Sequence, residues 1–546
     1  MKEIEYNLIE ERWIKVTKQD GTTSEESLYE VLVHAHEYRS LGGEMAAQDM
    51  AILRCLIALM HTVICRMDCD GKDSFVQTKE DCIERWKEVW KKGCFSEVSL
   101  QRYFEQWHDR FWLFHPERPF YQVPQAVNGT ENGVNKLNGE VSESNNKIRL
   151  FSHISGIAKE QMGYPESARW LLFLNGFDDC AAKQKDKSEG KRGSSVGWLG
   201  KLGLIYSIGN NLFETILLNM PMVTGQDEDV WSADIPTWEL ETVRSKERET
   251  IIMPDNLAAL YTLQSRRIFL KRTDSYVTGY GLLGGDFFDD KNTFKEPMTM
   301  WKKIEDKKTK ESYFRPYLHE RNRHIWRDFS ALAIENESSV RPGIVKWIDY
   351  LSDERVIPRK RLLTFGVVCV RHDSSQSGSI TDSFADDVLF HADLLSEAGK
   401  NWQKSIEKQL KHIRNSIEKV DNFVKSLRRA GGQNENGDDS AIEEARIIVY
   451  QEIDPYFRKW LLQLDSDQEA EERDKLALQL EEQIRACFLR IGESLIDQVG
   501  EAAFIGRMVE VKKKKFNYSA PQAYLRFKKG IYEIYPKVKG DEMNEE

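Results

Sequence analysis

The sequence predicts an α+β fold: a mixed α/β N-terminal globular domain with short sheets, followed by a C-terminal four-helix bundle. Between residues 260 and 390, short β-branched and aromatic runs alternate with turns, which is typical of strands. These runs are residues 266–272, 276–283 and 361–371. From residue 406 to residue 427, apolar residues recur at alternating spacings of four and three, which is typical of one long amphipathic helix. We therefore expect domains at 1–384 and 385–546.

The N-terminal domain begins with a short strand-like stretch and continues with helices. Ser27 is placed to cap a helix whose apolar residues share one face: Leu28, Val31, Leu32 and Ala35. The apolar run at residues 51–64 predicts a second, more buried helix. Arg54 and His61 interrupt this run, and we expect it to be too short and too polar to span a bilayer.

Two polar segments of the N-terminal domain predict loops. Residues 124–146 are rich in Asn, Gly and Ser. Residues 178–200 form the second predicted loop. From residue 183 to residue 201 the chain has six basic and two acidic residues, a local charge of +4 in an acidic protein. The basic residues of this loop are Lys183, Lys185, Lys187, Lys191 and Arg192, with Lys201 at its edge.

The C-terminal domain carries four amphipathic patterns with short connections, for which an antiparallel bundle is the economical arrangement. The inward-facing positions are Ile406, Leu410, Ile413, Ile417, Val420, Val424 and Leu427 in the first helix; Ile442, Ile453, Phe457, Trp460 and Leu464 in the second; Leu480, Ile484, Cys487, Ile491, Leu495 and Val499 in the third; and Tyr524, Phe527, Ile531 and Ile534 in the last.

The composition limits the classes of function that the chain can have. Lys and Arg total 78 against 89 Asp and Glu, giving a net charge of −11. An autonomous nucleic-acid binder usually has a basic bias, so this charge argues against a lone DNA-binding protein but allows a subunit of a nucleoprotein. The eight cysteines are scattered without a CxxC pair, and the N-terminus lacks the build of a secretory signal. We expect reduced thiols, a cytoplasmic location and no membrane partner.

Motifs of catalysis are weak in this sequence. Gly279–Gly284 matches GxGxxG, but no helix follows to bind a pyrophosphate, so the pattern predicts a strand with a bulge or a close backbone approach. The dipeptides His108-Asp109 and His372-Asp373 would need further ligands to form a metal phosphohydrolase site, and no spacing recruits His34, His36 or His61. We expect no catalytic residue and no cofactor.

The segment Leu113–Gln122 has a different character. Its two prolines fix an extended path, and three aromatic residues can anchor that path to a core: Phe111, Phe114 and Phe120. We interpret the segment as a structural loop, and His115 as a hydrogen-bonded loop histidine rather than a ligand or base.

Two basic runs have two interpretations each. The loop at 183–201 is rich in Gly and Ser, which would let its backbone approach phosphates closely, but a solvated surface loop is equally compatible with the pattern. The run Lys512–Lys515 allows phosphate contact or plain solvation in the same way.

Six stretches in the same order carry a resemblance to a known family: NLIEERWI, QDMAILRCLIALMH, LFHPERPFYQ, FLNGFDDCAAK, GWLGKLGLIYSIGNNLFETILLNM and KEPMTMW. Together they resemble CasA, the large subunit of the type I-E CRISPR Cascade complex, and the C-terminal bundle is similar to the architecture of that family. The resemblance implies a non-catalytic subunit at the 5′ handle of the guide RNA. Such a subunit recognises the protospacer-adjacent motif in double-stranded target DNA, aids duplex opening and recruits the helicase–nuclease.

The resemblance also implies which residues meet the DNA. Family members read the adjacent motif from the minor groove, whose degenerate donor and acceptor pattern tolerates several motifs. The small-residue loop corresponds to Cys180–Lys183, where Ala181 and Ala182 permit close backbone approach, and the lysine corresponds to Lys291. The wedge that helps to unstack base pairs corresponds to Gln376, with Ser377 beside it.

A further family loop, which docks on the guide handle and on a neighbouring Cascade subunit, corresponds to residues 151–167, with Phe151 as the anchor followed by Ser152 and His153. Some relatives carry paired CxxC motifs that suggest zinc; this chain lacks them, so we expect no metal.

Two alternatives compete with the interpretation of this chain as a non-catalytic Cascade subunit. One is a metal-dependent phosphohydrolase or nuclease, and the other is a helical-bundle interaction protein without a nucleic-acid role.

Overall fold

The computed structural model describes residues 3–143, 152, 154–181, 195–224, 229–246, 248, 251–319, 324–373, 379–396, 399–433, 440–511 and 514–537. The chain divides into two compact units. The N-terminal unit comprises Met1–His319, Glu335–Val356 and Leu363–Asp387, and the C-terminal unit comprises Glu320–Ile334, Ile357–Leu362 and Val388–Glu546. The single domain boundary between residues 384 and 385 stays a prediction.

The helices of the described residues, in chain order, are α1 (Leu28–Val33), α2 (Ala46–Arg66), α3 (Lys79–Lys92), α4 (Glu97–Trp107), α5 (Val134–Leu137), α6 (Tyr164–Phe177), α7 (Leu212–Leu218), α8 (Leu257–Tyr261), α9 (Phe329–Ala333), α10 (Gly343–Asp353), α11 (Lys400–Ala430), α12 (Ser440–Leu462), α13 (Ala470–Asp497), α14 (Glu501–Ile505) and α15 (Ala520–Ile534). Short 3-10 turns connect several of them.

The strands are β1 (Glu5–Asn7), β2 (Ile14–Lys18), β3 (Thr23–Glu26), β4 (Tyr38–Leu41), β5 (Trp112–Phe114), β6 (Thr130–Gly133), β7 (Leu204–Ile208), β8 (Arg266–Arg272), β9 (Val277–Gly284), β10 (Trp301–Glu305), β11 (Ser312–Pro316), β12 (Ser339–Val340), β13 (Leu362–His372), β14 (Ile380–His391), β15 (Arg507–Val511) and β16 (Lys514–Tyr518). They form small sheets with the orders β1-β5, β3-β2-β4, β6-β9-β8, β14-β13-β7, β11-β10-β12 and β15-β16. The α+β class with short sheets is confirmed.

The first two predicted helices are present. The hydroxyl of Ser27 accepts the Glu30 N–H at 3.2 Å and caps α1, and the predicted apolar face is buried. α2 extends beyond the predicted run on both sides. By length and composition it could cross a membrane, so the expectation that this segment is too short and too polar was wrong. However, 89% of its most apolar window is buried inside the protein, as in a core helix.

The polar residues of the family stretches hold turns and strands in place. Asn211 caps α7 by accepting the Glu214 N–H at 2.9 Å. The amide of Asn219 accepts the Ser207 N–H at 2.7 Å and donates to the Ser207 carbonyl at 2.6 Å, which fixes β7 against α7. These bonds satisfy buried backbone groups, and they explain why polar residues interrupt an apolar stretch there.

The proline-containing segment forms the predicted structural loop from His115 onward, whereas its first two residues, Leu113 and Phe114, belong to β5. Phe111, Phe114 and Phe120 are buried. The imidazole of His115 accepts the N–H groups of Glu117 and Arg118 at 3.1 and 3.0 Å. The interpretation of His115 as a hydrogen-bonded loop histidine is confirmed.

The prediction of a loop throughout residues 124–146 was wrong. Within this segment, β6 pairs with β9 and α5 buries Val134 and Leu137. Asn and Gly disfavour strands locally, but the pairing with a central strand overrides that preference. The GxGxxG segment forms β9 itself, without a following helix, and a Cβ at Gly281 would lie 2.1 Å from the Ala126 carbonyl oxygen. The predicted close backbone approach is confirmed.

The C-terminal unit has the four predicted long helices, α11, α12, α13 and α15. Every predicted inward-facing residue of the first two helices is buried. Four positions predicted for the last two helices are only half-buried: Leu495, Val499, Tyr524 and Ile534. The prediction of short connections was wrong for the last one, where α14 and the antiparallel pair β15–β16 lie between α13 and α15. Part of the basic run Lys512–Lys515 therefore belongs to a strand rather than to a simple turn.

Candidate nucleic-acid interface

The guanidinium of Arg266, at the start of β8, holds both ends of the predicted basic loop. It is fully buried and donates to the Asp178 carboxylate at 2.5 Å and to the Asp179 carbonyl at 2.8 Å. It also donates to the Ser195 carbonyl at 2.8 Å. The guanidinium is a rigid, planar donor. It therefore fixes the residues that come directly before and after residues 182–194.

Ala181, the first small residue of the predicted DNA-contacting loop, lies at this fixed end. Its N–H donates to the Asp179 carboxylate at 3.0 Å, and the Lys136 ammonium lies 3.3 Å from the same carboxylate. Ala181 is half-buried, so a small side chain suits its position. The other predicted residues of this loop lie outside the described residues: Ala182, Lys183, Lys185, Lys187, Lys191 and Arg192.

The segment that is predicted to carry the wedge begins beside the same end of the loop. Gln376 and Ser377 lie outside the described residues, but His372, at the end of β13, is described. Its Nε2–H donates to the Phe177 carbonyl at 2.8 Å, at the C-terminal end of α6. Burial lowers the pKa of His372, which favours the neutral imidazole, and the carbonyl acceptor requires the proton on Nε2. The chain entering the wedge and the chain entering the small-residue loop are thus joined by one hydrogen bond.

Lys291 occupies an exposed turn close to the other end of the basic loop. Its N–H donates to the Asp289 carboxylate at 3.1 Å, and its ammonium lies 4.8 Å from the centre of the Tyr313 ring. The neighbouring Asp290 lies 3.7 Å from the ammonium of Lys201, which follows the loop. The resemblance implies three elements: the small-residue loop, the wedge and Lys291. The described residues that flank them therefore lie in one region of the N-terminal unit.

Trp198 makes the base of this region rigid. Its indole N–H donates to the buried Glu296 carboxylate at 2.9 Å. The same carboxylate accepts two bonds from Arg54 of α2, at 2.8 and 3.0 Å. The Trp198 ring also packs against Phe288, with ring centres 4.5 Å apart. A buried network therefore ties the end of the basic loop to α2.

Sequence reasoning missed a basic hairpin beside Lys291. Residues 301–316, which form β10, β11 and their turn, carry six basic and three acidic residues, a net charge of +3. The backbone N–H of Asn292 donates to the Phe314 carbonyl at 2.9 Å, which attaches the Lys291 turn to β11. The high density of lysine in this segment was the available signal. The five lysines of the hairpin are all exposed: Lys302, Lys303, Lys307, Lys308 and Lys310.

The predicted docking loop is described only in part. Phe151 and His153 lie outside the described residues. The hydroxyl of Ser152 donates to the Ile154 carbonyl at 2.9 Å. The last residues of the predicted loop are helical, since α6 begins at Tyr164, and Ile157 is 72% exposed.

The two His-Asp dipeptides have other partners. His108 lies 3.0 Å from the Glu10 carboxylate, and His372 makes the backbone bond described above. Within the part of the chain that the structure describes, neither dipeptide belongs to a group of three or more metal-ligating side chains. Nothing in this geometry favours the phosphohydrolase alternative.

Comparison with known proteins identifies the family. A family model described as CRISPR-associated protein Cse1 matches residues 7–491. The CRISPR-associated protein CasA/Cse1 of Thermus thermophilus is 30% identical over 239 residues, covering 44% of this chain and 43% of that protein. The chain thus matches less than half the length of this curated relative.

Solved structures extend the likeness to the whole fold. The crystal structure of Thermobifida fusca Cse1 has a TM-score of 0.80 and 26% identity, covering 97% of this chain and 98% of that one. A chain of a CRISPR RNA-guided surveillance complex shares the fold, with a TM-score of 0.64 and 16% identity over 96% of this chain and 99% of that one. The resemblance to CasA is confirmed: this chain belongs to the CRISPR-associated protein Cse1 family.

Proposed function

We propose that this chain is the large, non-catalytic subunit of a type I-E CRISPR surveillance complex. In this role it recognises the protospacer-adjacent motif in duplex DNA, aids duplex opening and R-loop formation, and offers a surface to the helicase–nuclease. Membership of the Cse1 family supports the proposal, as does the fold shared with a chain of an RNA-guided surveillance complex. Partners would be other Cascade subunits, the 5′ handle of the guide RNA and the target duplex.

The observation that carries the proposal is the convergence of three flanking segments. The Phe177 carbonyl, before the small-residue loop, accepts a hydrogen bond from His372, before the wedge. Lys201, after the basic loop, lies beside Asp290 in the Lys291 turn. A minor groove is narrow, so a loop, a lysine and a wedge must start from one place to reach the same few base pairs.

The charge distribution supports local rather than autonomous DNA binding. The chain carries a net charge of −11, while the basic loop and the β10–β11 hairpin are positive. Lysines contact phosphates and fix the protein's position on the duplex, whereas base edges carry the sequence information. In this proposal the basic segments hold the duplex, and Ala181, Ala182 and Gln376 meet its base pairs.

Docking on the surveillance complex belongs to the same proposal. Phe151, Ser152 and His153 would contact the guide handle and a neighbouring subunit. Aromatic anchors contribute much of the binding energy at such interfaces. The described part of this loop is followed directly by α6, whose C-terminal end leads into the small-residue loop. Docking on the complex would therefore fix the DNA-contacting loop through one helix.

A titration of a guide-matched target duplex tests the proposal. The reconstituted complex would be prepared with the wild-type subunit, with Gln376→Ala, with Gln101→Ala as a matched control on the exposed face of α4, and without the subunit, at two salt concentrations. We expect omission to abolish target binding, Gln376→Ala to weaken it, and Gln101→Ala to leave it unchanged. Target binding that is unaffected by omission would contradict the proposal.

A further inference from the structure

A small cavity in the N-terminal unit is lined by three arginines from separate segments of the chain. Arg110 directly follows α4, Arg118 lies in the proline-containing segment, and Arg244 precedes α8. All three residues are half-buried. The cavity has a volume of about 40 Å³, and one water needs about 10–15 Å³. It therefore has room for about three waters, which is the scale of one tetrahedral oxyanion.

Two of these arginines lack a counter-ion within the described part of the chain. Neither Arg110 nor Arg118 has a carboxylate of those residues within ion-pair distance. The Arg110 guanidinium lies instead 5.9 Å from the centre of the Trp107 ring. Gln264 also lines the cavity and is buried, and its side-chain amide forms no hydrogen bond with any other described residue. The cavity thus brings together donors that have no acceptor among these residues.

The third arginine shares a single carboxylate with two others. The Asp286 carboxylate accepts two bonds from Arg248, both at 2.7 Å, and one from Arg267 at 2.6 Å. The guanidinium of Arg244 lies 3.8 Å from this carboxylate, beyond hydrogen-bond distance. Three guanidinium groups around one carboxylate leave positive charge in excess. This excess adds to the two unpaired charges described above.

The concentration of positive charge destabilises these cations. Burial and then the charge of Arg118 lower the pKa of Arg110, against the opposing charge of Asp109. Burial and then the charge of Arg248 lower the pKa of Arg244. An arginine side chain stays charged in proteins, so the repulsion is not relieved by loss of a proton. An anion in the cavity would relieve it.

Backbone hydrogen bonds fix two of the segments that carry the arginines. The Arg118 N–H donates to the His115 imidazole at 3.0 Å. The Arg248 N–H donates to the Gly285 carbonyl at 3.1 Å, and this bond ties the segment of Arg244 to the end of β9. Donors that are held in place before a ligand arrives lose less conformational entropy when it binds.

We propose that Arg110, Arg118 and Arg244 bind a phosphate group. The planar guanidinium matches the geometry of phosphate oxygens and can donate two parallel bonds to one phosphate. The cavity is too small for a nucleoside, so the rest of a nucleic-acid ligand would stay outside it. A backbone phosphate of nucleic acid and free inorganic phosphate offer the same chemistry, and the experiment below distinguishes these two sources.

The proposed phosphate site is separate from the candidate nucleic-acid interface. Arg266 and Arg267 are successive residues of β8, so their side chains point to opposite faces of the sheet. Arg266 bonds the residues that flank the basic loop, whereas Arg267 bonds Asp286 beside the cavity. The proposal therefore does not depend on the proposed role in a surveillance complex, and its test uses the isolated full-length chain.

Equilibrium dialysis against radiolabelled inorganic phosphate is the first arm of the test. We expect saturable phosphate binding to the wild-type chain and its loss in the double variant Arg110→Gln with Arg118→Gln. The control is Arg39→Gln with Arg414→Gln, which makes the same change in net charge at two exposed arginines. The control should bind phosphate as the wild type does.

The second arm titrates a single-stranded DNA oligonucleotide and the same sequence with a neutral methylphosphonate backbone. If a backbone phosphate is the ligand, the double variant and the neutral backbone should each weaken binding, and inorganic phosphate should compete. If free phosphate is the ligand, the double variant should lose phosphate and keep its affinity for the oligonucleotide. A folded wild-type chain that binds neither ligand, or a folded double variant that binds both as the wild type does, would overturn the proposal.

Arg118→Lys keeps the test decisive if the double variant does not fold. Lysine retains the charge but lacks the planar fork of donors. We expect the affinity for the ligand to fall about tenfold, as for the loss of one charge-assisted hydrogen bond. Circular dichroism would show that the variant is folded. Unchanged affinity of folded Arg118→Lys for both ligands would contradict bidentate binding of a phosphate at this position.

Discussion

At the scale of single residues, the Glu296 carboxylate joins segments that are far apart in the sequence. It accepts bonds from Arg54 and from the Trp198 indole, and all three side chains are buried. The guanidinium of Arg54 also lies 3.9 Å from the centre of the Tyr261 ring. Three of the stretches that carry the family resemblance thus meet at one carboxylate, which explains why polar residues occur in them.

We expect Glu296→Gln to lower the free energy of unfolding of the N-terminal unit by about 3–5 kcal/mol, because it leaves the Arg54 charge buried without a counter-ion. Urea denaturation measures this change. Glu305→Gln is the control, because Glu305 is exposed and pairs with the exposed Lys310. We expect it to cost less than about 1 kcal/mol. Equal effects of the two substitutions would contradict the assigned role of Glu296.

Asp49 predicts a pH dependence of stability. It lines a cavity of about 570 Å³, and burial raises its pKa from 3.8 to about 7, although the Gly43 N–H opposes this. Between pH 3.8 and about 7 the folded chain therefore binds a proton that the unfolded chain has released. The contribution of Asp49 to the free energy of unfolding therefore falls as the pH rises through that range, and it is constant above it.

We expect Asp49→Asn to remove this pH-dependent contribution to the free energy of unfolding. The melting temperature of the variant should rise relative to that of the wild type as pH increases from 4 to about 7. Differential scanning calorimetry across that range measures the effect. Asp70→Asn is the control, because the Asp70 side chain is 77% exposed. Parallel pH profiles for Asp49→Asn and the wild type would be inconsistent with a raised pKa.

At the scale of elements, the sequence predicted those whose pattern is strong and local. The long helix α11 and the strands β8 and β13 follow from periodicity and β-branched content alone. The strand β6 and the pair β15–β16 did not, because Asn, Gly and Lys disfavour strands and only pairing with another strand stabilises them. For the candidate site, the sequence supplied a set of segments whose roles stay predictions. It could not supply the bonds from the Arg266 guanidinium to Asp178, Asp179 and Ser195, which we call the Arg266 clamp, because these long-range contacts follow no spacing.

The clamp gives an element-scale prediction. Arg266→Lys removes the planar donor that bonds Asp178, Asp179 and Ser195, so both ends of the basic loop lose their fixed positions. We expect the assembled complex to bind target duplex about tenfold more weakly, a change of about 1.4 kcal/mol. A gel-shift titration measures this weakening.

The control for the clamp is Arg102→Lys, which alters a half-exposed ion pair with Asp73 and should leave binding unchanged. Circular dichroism would show whether Arg266→Lys is folded before it is assembled. Unchanged binding by folded Arg266→Lys would refute the role of the clamp.

At the scale of the whole molecule, the chain is acidic overall, but short segments of it are basic. The net charge is −11, whereas residues 301–316 carry +3. If Lys302 and Lys303 contact phosphates, each would release counter-ions on binding, and the affinity would depend on salt accordingly.

We expect Lys302→Ala with Lys303→Ala to weaken target binding and to reduce the slope of log affinity against log salt by about 0.9 for each lysine–phosphate pair that the substitutions remove. Binding isotherms of the assembled complex at several salt concentrations give this slope. Lys91→Ala, on an exposed position of α3, is the control and should leave the slope unchanged. An unaltered slope in the double variant would exclude the hairpin from phosphate binding.

We propose that this subunit reads the base pairs beside the target. The most direct measurement compares the affinities of the assembled complex for guide-matched duplexes that differ only in the adjacent motif, with this subunit present and omitted. We expect the complex to prefer a limited, degenerate set of motifs when the subunit is present, and to lose that preference when it is omitted. A motif preference that persists unchanged without the subunit would contradict this role.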